Sequence, residues 1–352
     1  MSRATGVFHT SYAAELAPRH TRAQKLRLWL IVALLALLPW CLDGYWLGLV
    51  NAIGIAAIGA VGLNILVGFT GQISLGHAGF MAVGAFTSGL LSARAGVPMP
   101  LAIAGATLLS AALGAVVGLP ALRIEGVYLA IATLASQQVI EFVIRRWAWL
   151  TGGQGFLEVP RCGLFGAHVS RLGFERGWYW LILSVAAPAV LAARNLFRSA
   201  LGRSLLAVRD HDVAAACIGV DVPRAKLTAF ALSSAYAGLA GSLAAHYTEV
   251  VSWERFTLDT SVEYLGMIIV GGLGSVAGSV YGALFISLLP PLLAELAELV
   301  GGGSSRLTAQ LPALQLGAFG ATIVLFLLFE PRGLEQLWRH TKHYFRLWPF
   351  RY

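Results

Sequence analysis

Thr70, Gln72, Ser74 and His77 fall within one glycine-rich stretch, Gly68–Phe86 (GFTGQISLGHAGFMAVGAF), inside an otherwise apolar chain. These side chains form hydrogen bonds, and the stretch carries no carboxylate, lysine or arginine to do acid–base work with His77. A lone histidine with no second ligand at helical spacing does not hold a metal. Its two readings are a hydrogen bond that holds broken backbone or a place on the wall of a passage. A polar, helix-weakening interruption at membrane depth is costly unless it is buried in protein or lines a wet cavity. The chemistry on offer is the passage of a solute, with Gly71, Gln72, Ser74, Gly76 and His77 as candidate pathway or hinge residues.

A second such break, GGLGSVAGSVYGALF, runs from Gly271 to Phe285 and offers Gly271, Gly272 and Gly274. Both stretches follow an apolar run, break at glycine and small polar residues, and resume toward similar ends, Gly84-Ala85-Phe86 and Gly282-Ala283-Leu284-Phe285. A pair of short, glycine-interrupted segments points to a transport site at the interface of two repeats. Likeness of composition alone is the competing explanation.

The elements that must position these breaks are membrane helices. Of 352 residues 57% are hydrophobic and 12% charged, against about 25% charged in a soluble domain. The apolar residues come in runs about as long as a bilayer is thick. The expected fold is an all-α, polytopic transmembrane bundle with broken helices and about eight to eleven spans, ten giving the best fit. The spans are placed at 28–43, 46–67, 78–93, 99–119, 124–144, 178–195, 226–246, 262–273, 276–296 and 312–329. Residues 1–27 form a basic tail, 28–330 the membrane domain and 331–352 a second basic tail.

The net charge of +8 lies between hydrophobic runs rather than on a continuous face interleaved with aromatics, which excludes a nucleic-acid partner. Basic residues gather in both tails and in the 195–225 loop, whereas Glu249, Glu254, Asp259 and Glu263 fall opposite. By the positive-inside bias both termini are cytoplasmic. The long 145–177 loop, with Arg145, Arg146, Arg161, Arg171 and Arg176, is placed outside despite its charge. Pro39-Trp40-Cys41 is no cleavage site, so the first span stays attached. Cys41, Cys162 and Cys217 read as unpaired packing residues. Small residues at four-residue spacing (Ser110, Gly114 and Gly118; Ala237 and Gly241; Gly274, Gly278 and Gly282) read as close helix contacts.

No P-loop is present: the lysines are Lys25, Lys226 and Lys342, and none follows a suitable glycine. H-E-x-x-H and G-x-S-x-G are absent and no aspartate lies mid-span. The chain reads as a non-enzyme without a cofactor or resident metal. Glu141, four residues before Arg145, suits a helix-surface ion pair. A proton- or sodium-coupled carrier keeps an acidic residue at midplane; its absence here favours an external energy source over a stand-alone carrier or channel.

Gly202–Phe230 is the most informative loop. Ser204–Val208 reads as a basic helical turn, followed by a short helix, Val213–Ile218, capped by Asp210 or Asp212. Gly219 ends that helix in a left-handed conformation, with Pro223 at the start of the next span.

This loop resembles the coupling segment of the branched-chain amino-acid permeases of bacterial ABC importers. The resemblance runs through Gly202, Arg203, Leu205, Ala207, Arg209, Asp210, Ala214, Ala215, Gly219, Lys226, Leu227, Ala229 and Phe230. The opening stretch is similar to the same family's signature at Gly62, Leu63, Asn64, Leu66, Val67, Gly68, Gly71, Gln72, Ser74, Leu75, Gly76, His77, Ala78 and Phe80. Thr151-Gly152-Gly153 and Gly271–Ser275 agree as well, and the likeness is closest to the LivM-type subunit. It departs at Gln154-Gly155-Phe156 and Ala216-Cys217-Ile218.

The resemblance implies one of two membrane subunits of an inner-membrane importer, paired with a LivH-like permease. Two ABC ATPase subunits would grip the loop, through Gly202, Arg203, Arg209, Asp210, Ala214, Ala215 and Gly219. A periplasmic binding protein would deliver a small solute. Permeases for urea, short amides and other amino acids share the scaffold, so the solute stays open among them.

Overall fold

The computed structural model of this chain describes residues 22–124, 126–147, 156–160, 171–301, 305–330 and 333–347. In order the helices are α1 (Arg22–Cys41), α2 (Gly44–Thr70), α3 (His77–Ala95), α4 (Met99–Gly118), α5 (Val127–Arg146), α6 (Arg171–Leu196), α7 (Ala200–Asp210), α8 (Asp212–Cys217), α9 (Val222–Thr248), α10 (Leu258–Gly271), α11 (Val276–Gly301), α12 (Ser305–Phe329) and α13 (Gly333–Leu347). The motif Thr151-Gly152-Gly153, Gln154, Gly155, Arg161, Cys162 and most of the N-terminal tail lie outside the described residues.

The all-α reading holds, with one addition. Phe156–Glu158 (β1) pairs antiparallel with Val250–Ser252 (β2), Phe156 opposite Ser252. The loop placed at 145–177 thereby meets the turn after α9, and its last residues belong to α6.

Two helices form the axis. The apolar window of α2 is 83% buried and that of α9 is 56% buried, against 22–33% for the other helices of spanning length. Among the helices of spanning length these two are the most covered by protein. Close approach on this axis depends on missing side chains. A β-carbon at Gly62 would lie 2.4 Å from Tyr236 Cβ, one at Gly84 2.2 Å from the Gly238 carbonyl, and one at Gly238 2.4 Å from Ser110 Cβ. The small-residue ridges are packing contacts, as the spacing implies. Gly241→Val, whose first added carbon would fall 2.0 Å from the Met81 carbonyl, is expected to destabilise the purified protein by about 1–3 kcal/mol. Gly320→Val on α12 meets nothing within 4 Å and is expected to leave the thermal midpoint unchanged.

The expected ten spans are too many. Six helices among the described residues are long and apolar enough to cross a membrane, or seven if the bent pair Ala313–Phe329 and Gly333–Lys342 is one span. The expected span at 262–273 falls on α10, whose 14 residues reach only ~21 Å, short of the ~30 Å hydrocarbon core. The one at 78–93 falls on α3, long enough at 19 residues but diluted by glycine, serine and threonine. That composition suits its place: every residue from His77 to Phe86 except Val83 is buried in protein. The one at 28–43 falls on α1, much of whose side-chain placement lies outside the described residues. Cys41 and Cys217 are free and exposed, so they are not the packing residues expected.

Candidate functional site

The first break is narrower than the stretch that announces it. Helix α2 runs to Thr70 and stops at Gly71, whose φ of 70° is left-handed. Gly71 N–H donates to Val67 O at 3.2 Å and Gln72 N–H to Leu66 O at 3.3 Å, the paired bonds of a glycine C-cap. Residues 71–76 are non-helical, and α3 starts at His77. Neighbours satisfy the freed backbone: Leu75 N–H donates to Thr133 Oγ1 at 3.0 Å and Ala78 N–H to Ser261 Oγ at 2.9 Å. Ser261 in turn donates to Gln137 Oε1 at 2.6 Å. The break is therefore held by α5 and α10, and a β-carbon at Gly76 would sit 2.7 Å from the Thr133 carbonyl.

The second break lies between α10 and α11, with Gly272 at φ 122° and Gly274 at φ 79°. The two breaks are in contact. Asn64 Nδ2, from the last turns of α2, donates to Ser279 Oγ at 2.6 Å and to Ser275 O at 2.9 Å. Its Oδ1 accepts from Gly274 N–H at 2.9 Å. Asn64 is 1% exposed; its bond to Ser279 is buried, and those to Ser275 and Gly274 are part-buried. The paths on from the breaks differ: α2 and α3 each pack on α9, whereas α10 and α11 pack directly on each other.

The 202–230 loop folds as two helices before α9, the first longer than the expected turn. Ser199 caps α7 by accepting from Gly202 N–H at 3.4 Å. Asp212, rather than Asp210, accepts from Val213 N–H at 2.8 Å at the start of α8. Gly219, at φ 88°, closes α8 as expected, and Asp221 caps α9 through Arg224 N–H at 3.1 Å. A β-carbon at Gly202 would fall 2.4 Å from the Leu196 carbonyl, so its absence lets α7 turn back on α6. Ala215 is buried with Leu66, Leu129, Leu205, Val208 and Phe230. Ala214, Arg203 and Asp210 are exposed, and so are the apolar Val213 and Ile218.

Arg209 joins this loop to both breaks. Its guanidinium donates through Nη1 to the carbonyl of Gly68, one of the four acceptors that the end of α2 leaves without a helical partner. A cation there also meets the negative end of the helix dipole. A β-carbon at Gly274 would sit 2.6 Å from Arg209 Nη1, and one at Gly71 would meet Arg209 Cγ at 3.5 Å. The Arg209 side chain thus lies along two left-handed glycines, its stem beside Gly71 and its guanidinium beside Gly274.

Beside it lies an opening of about 240 Å³, lined in part by Thr70, Gln72, Arg209, Asp212 and Lys226. Lys226, at the base of α9, is buried to 8% side-chain exposure and pairs with Asp212 at 3.5 Å.

The remaining candidate residues are closed in. Gln72 Nε2 donates to Thr70 Oγ1 at 3.2 Å, and Ser74 Oγ accepts from Gly76 N–H at 3.3 Å. His77, 1% exposed, packs 5.3 Å from the Tyr264 ring, and its Nε2 is buried without a hydrogen-bond partner among the described residues. Glu141 and Arg145 form the expected pair at 3.4 Å.

Sequence reasoning gave no role to Asn64, Thr133, Gln137 or Ser261, which carry the tertiary bonds of the breaks. It also missed Asn51 and Tyr247, which both donate to Glu175 Oε2, at 2.9 and 2.8 Å. Asparagines 51 and 64 interrupt the apolar run of α2, and an amide buried in such a run is the signal that would have found both.

The branched-chain amino acid transport system / permease component family matches residues 45–327. The chain is 30% identical over 340 residues to the high-affinity branched-chain amino acid transport system permease protein LivM of Escherichia coli K12, covering 91% of this chain and 76% of that protein. It is 26% identical over 237 residues to the probable branched-chain amino acid transport permease protein LivM of Methanocaldococcus jannaschii, covering 66% and 67%. It is 26% identical over 211 residues to the autoinducer 2 import system permease protein LsrC of Salmonella choleraesuis, covering 57% of each. No solved structure matches it at a significant level. Two broken helices tied together and bridged to a basic loop are thus features of a multi-pass membrane protein that belongs to the branched-chain amino acid transport permease family.

Proposed function

We propose that this chain is a membrane-spanning subunit of an ATP-driven importer that carries branched-chain amino acids across the inner membrane. Two ATPase subunits dock on α7 and α8, a second permease completes the pathway, and a binding protein supplies solute at the opposite face. The termini lie on the ATPase side. The observation that carries this reading is Arg209, which reaches from the docking loop to the Gly68 carbonyl between the two breaks. A displacement of α7 therefore acts directly on the end of α2. Through Asn64 it acts on the α10–α11 turn as well. Alternating access follows when these segments move together and the walls around residues 71–76 and 272–275 part.

Reconstitution tests this. The chain co-purified with its partner permease, ATPases and binding protein is expected to take up labelled leucine into proteoliposomes only with ATP and binding protein present. Uptake by this chain alone would establish a stand-alone carrier instead. Competition by urea or acetamide, but not by valine or isoleucine, would move the solute to the short amides.

A further inference from the structure

We propose that α13 is an interfacial helix that seats on anionic phospholipid headgroups and presses on the second break. Along Gly333–Leu347 (GLEQLWRHTKHYFRL) the residues Leu334, Leu337, Trp338, Thr341, Tyr344 and Phe345 fall on one face at helical spacing. Arg339, Lys342 and Arg346 fall on the other, three cations against the single carboxylate Glu335. A helix with an apolar face, an aromatic anchor and a cationic face lies in the headgroup plane of a bilayer.

Its setting favours lipid over protein as the cover. Helix α12 ends in an apolar band open to the outside, with Val324, Leu325, Leu327, Leu328 and Phe329 all more than half exposed. The band stops at Glu330, and the chain turns by 50° into α13. Helix α13 thus begins where the lipid-facing surface gives way to polar surroundings. Leu334 packs against the main core, whereas Leu337 and Trp338 beyond it are 43% and 60% exposed. Only the first turn has a protein partner among the described residues. Tryptophan is enriched at this depth of a bilayer, and each lysine or arginine near an anionic surface contributes about 1 kcal/mol.

The first residue of α13 meets the second break. Gly333, at φ 72°, lies so close to Gly272 that a β-carbon there would fall 2.6 Å from Gly272 N. Two residues further on, Gly274 borders the Arg209 guanidinium. Seating α13 on the headgroups steadies the glycine turn on which the docking loop acts.

The test uses the whole importer in nanodiscs of phosphatidylcholine alone or mixed equally with phosphatidylglycerol. Amide exchange across 334–347 is expected to slow about tenfold with anionic lipid, as two or more cations at the surface imply. The difference is expected to disappear in Lys342→Glu with Arg346→Glu, and Trp338→Ser is expected to speed exchange in both lipids. Uptake is expected to rise with anionic lipid in the wild type and not in the charge variant. Equal exchange in the two lipids overturns the proposal. So does protection that persists in neutral lipid and is lost when the partner subunits are removed, because α13 would then be covered by protein. The exchange measurement needs no transport, so it stands even if the chain carries another solute.

Discussion

Asn64→Ala is expected to cut solute uptake at least about tenfold and to destabilise the subunit by about 2–4 kcal/mol. The substitution leaves Gly274 N–H and the Ser275 carbonyl, both part-buried, without their partner. A buried group left unsatisfied loses about 1–3 kcal/mol, and tenfold in rate requires only about 1.4 kcal/mol. Loss of stability alone does not identify a gate, so Asn51→Ala is the comparison. Asn51 is equally buried at 1% exposure and is tied to the Glu175 backbone at 3.0 Å, but it touches neither break. It is expected to lower the thermal midpoint while keeping the ratio of solute moved to ATP hydrolysed. Equal loss of that ratio in both variants would reduce Asn64 to a packing residue.

Arg209→Ala is expected to do the reverse: uptake falls about tenfold with a stability change below about 1 kcal/mol, because its hydrogen bond is partly exposed and water competes for it. ATP hydrolysis by the partner subunits continues. Arg209→Lys is expected to restore only part of the uptake, since an ammonium is a point charge without the planar fork that lies beside Gly274 and reaches the Gly68 carbonyl. Gly274→Ala strains a left-handed position and places a carbon 2.6 Å from the guanidinium, so it is expected to reproduce the Arg209→Ala phenotype. The double variant is expected to be no worse than either single one. Additive losses would separate the two residues and remove the link between docking loop and break.

Much of this was legible in the sequence, and the limits have physical causes. Gly71, Gly219 and Gly274 were readable because a left-handed turn in an apolar chain leaves glycine as its mark. The 202–230 loop was readable through Gly219, Pro223 and family resemblance. The number of spans was not, because hydrophobic runs alone do not separate a helix that faces lipid from one enclosed by protein. Helices α3 and α10 are of the second kind. Contacts between distant segments were not legible either. Nothing local to Asn64 points 210 residues ahead to Gly274, and nothing local to Arg209 points back to Gly68.

The ribbon of β1 and β2 has a mechanical consequence. Helix α3 begins at the first break and passes under the ribbon, where a β-carbon at Gly89 would touch Leu157 Cδ2 at 2.8 Å and Val159 Cγ2 at 3.1 Å. A helix of 19 residues is a stiff rod of ~28 Å, so it tilts as a whole. Its first end is held through Thr133 and Ser261, and its far end bears on the strands. One rod thus runs from the first break to the ribbon, and a tilt of α3 would be felt at both.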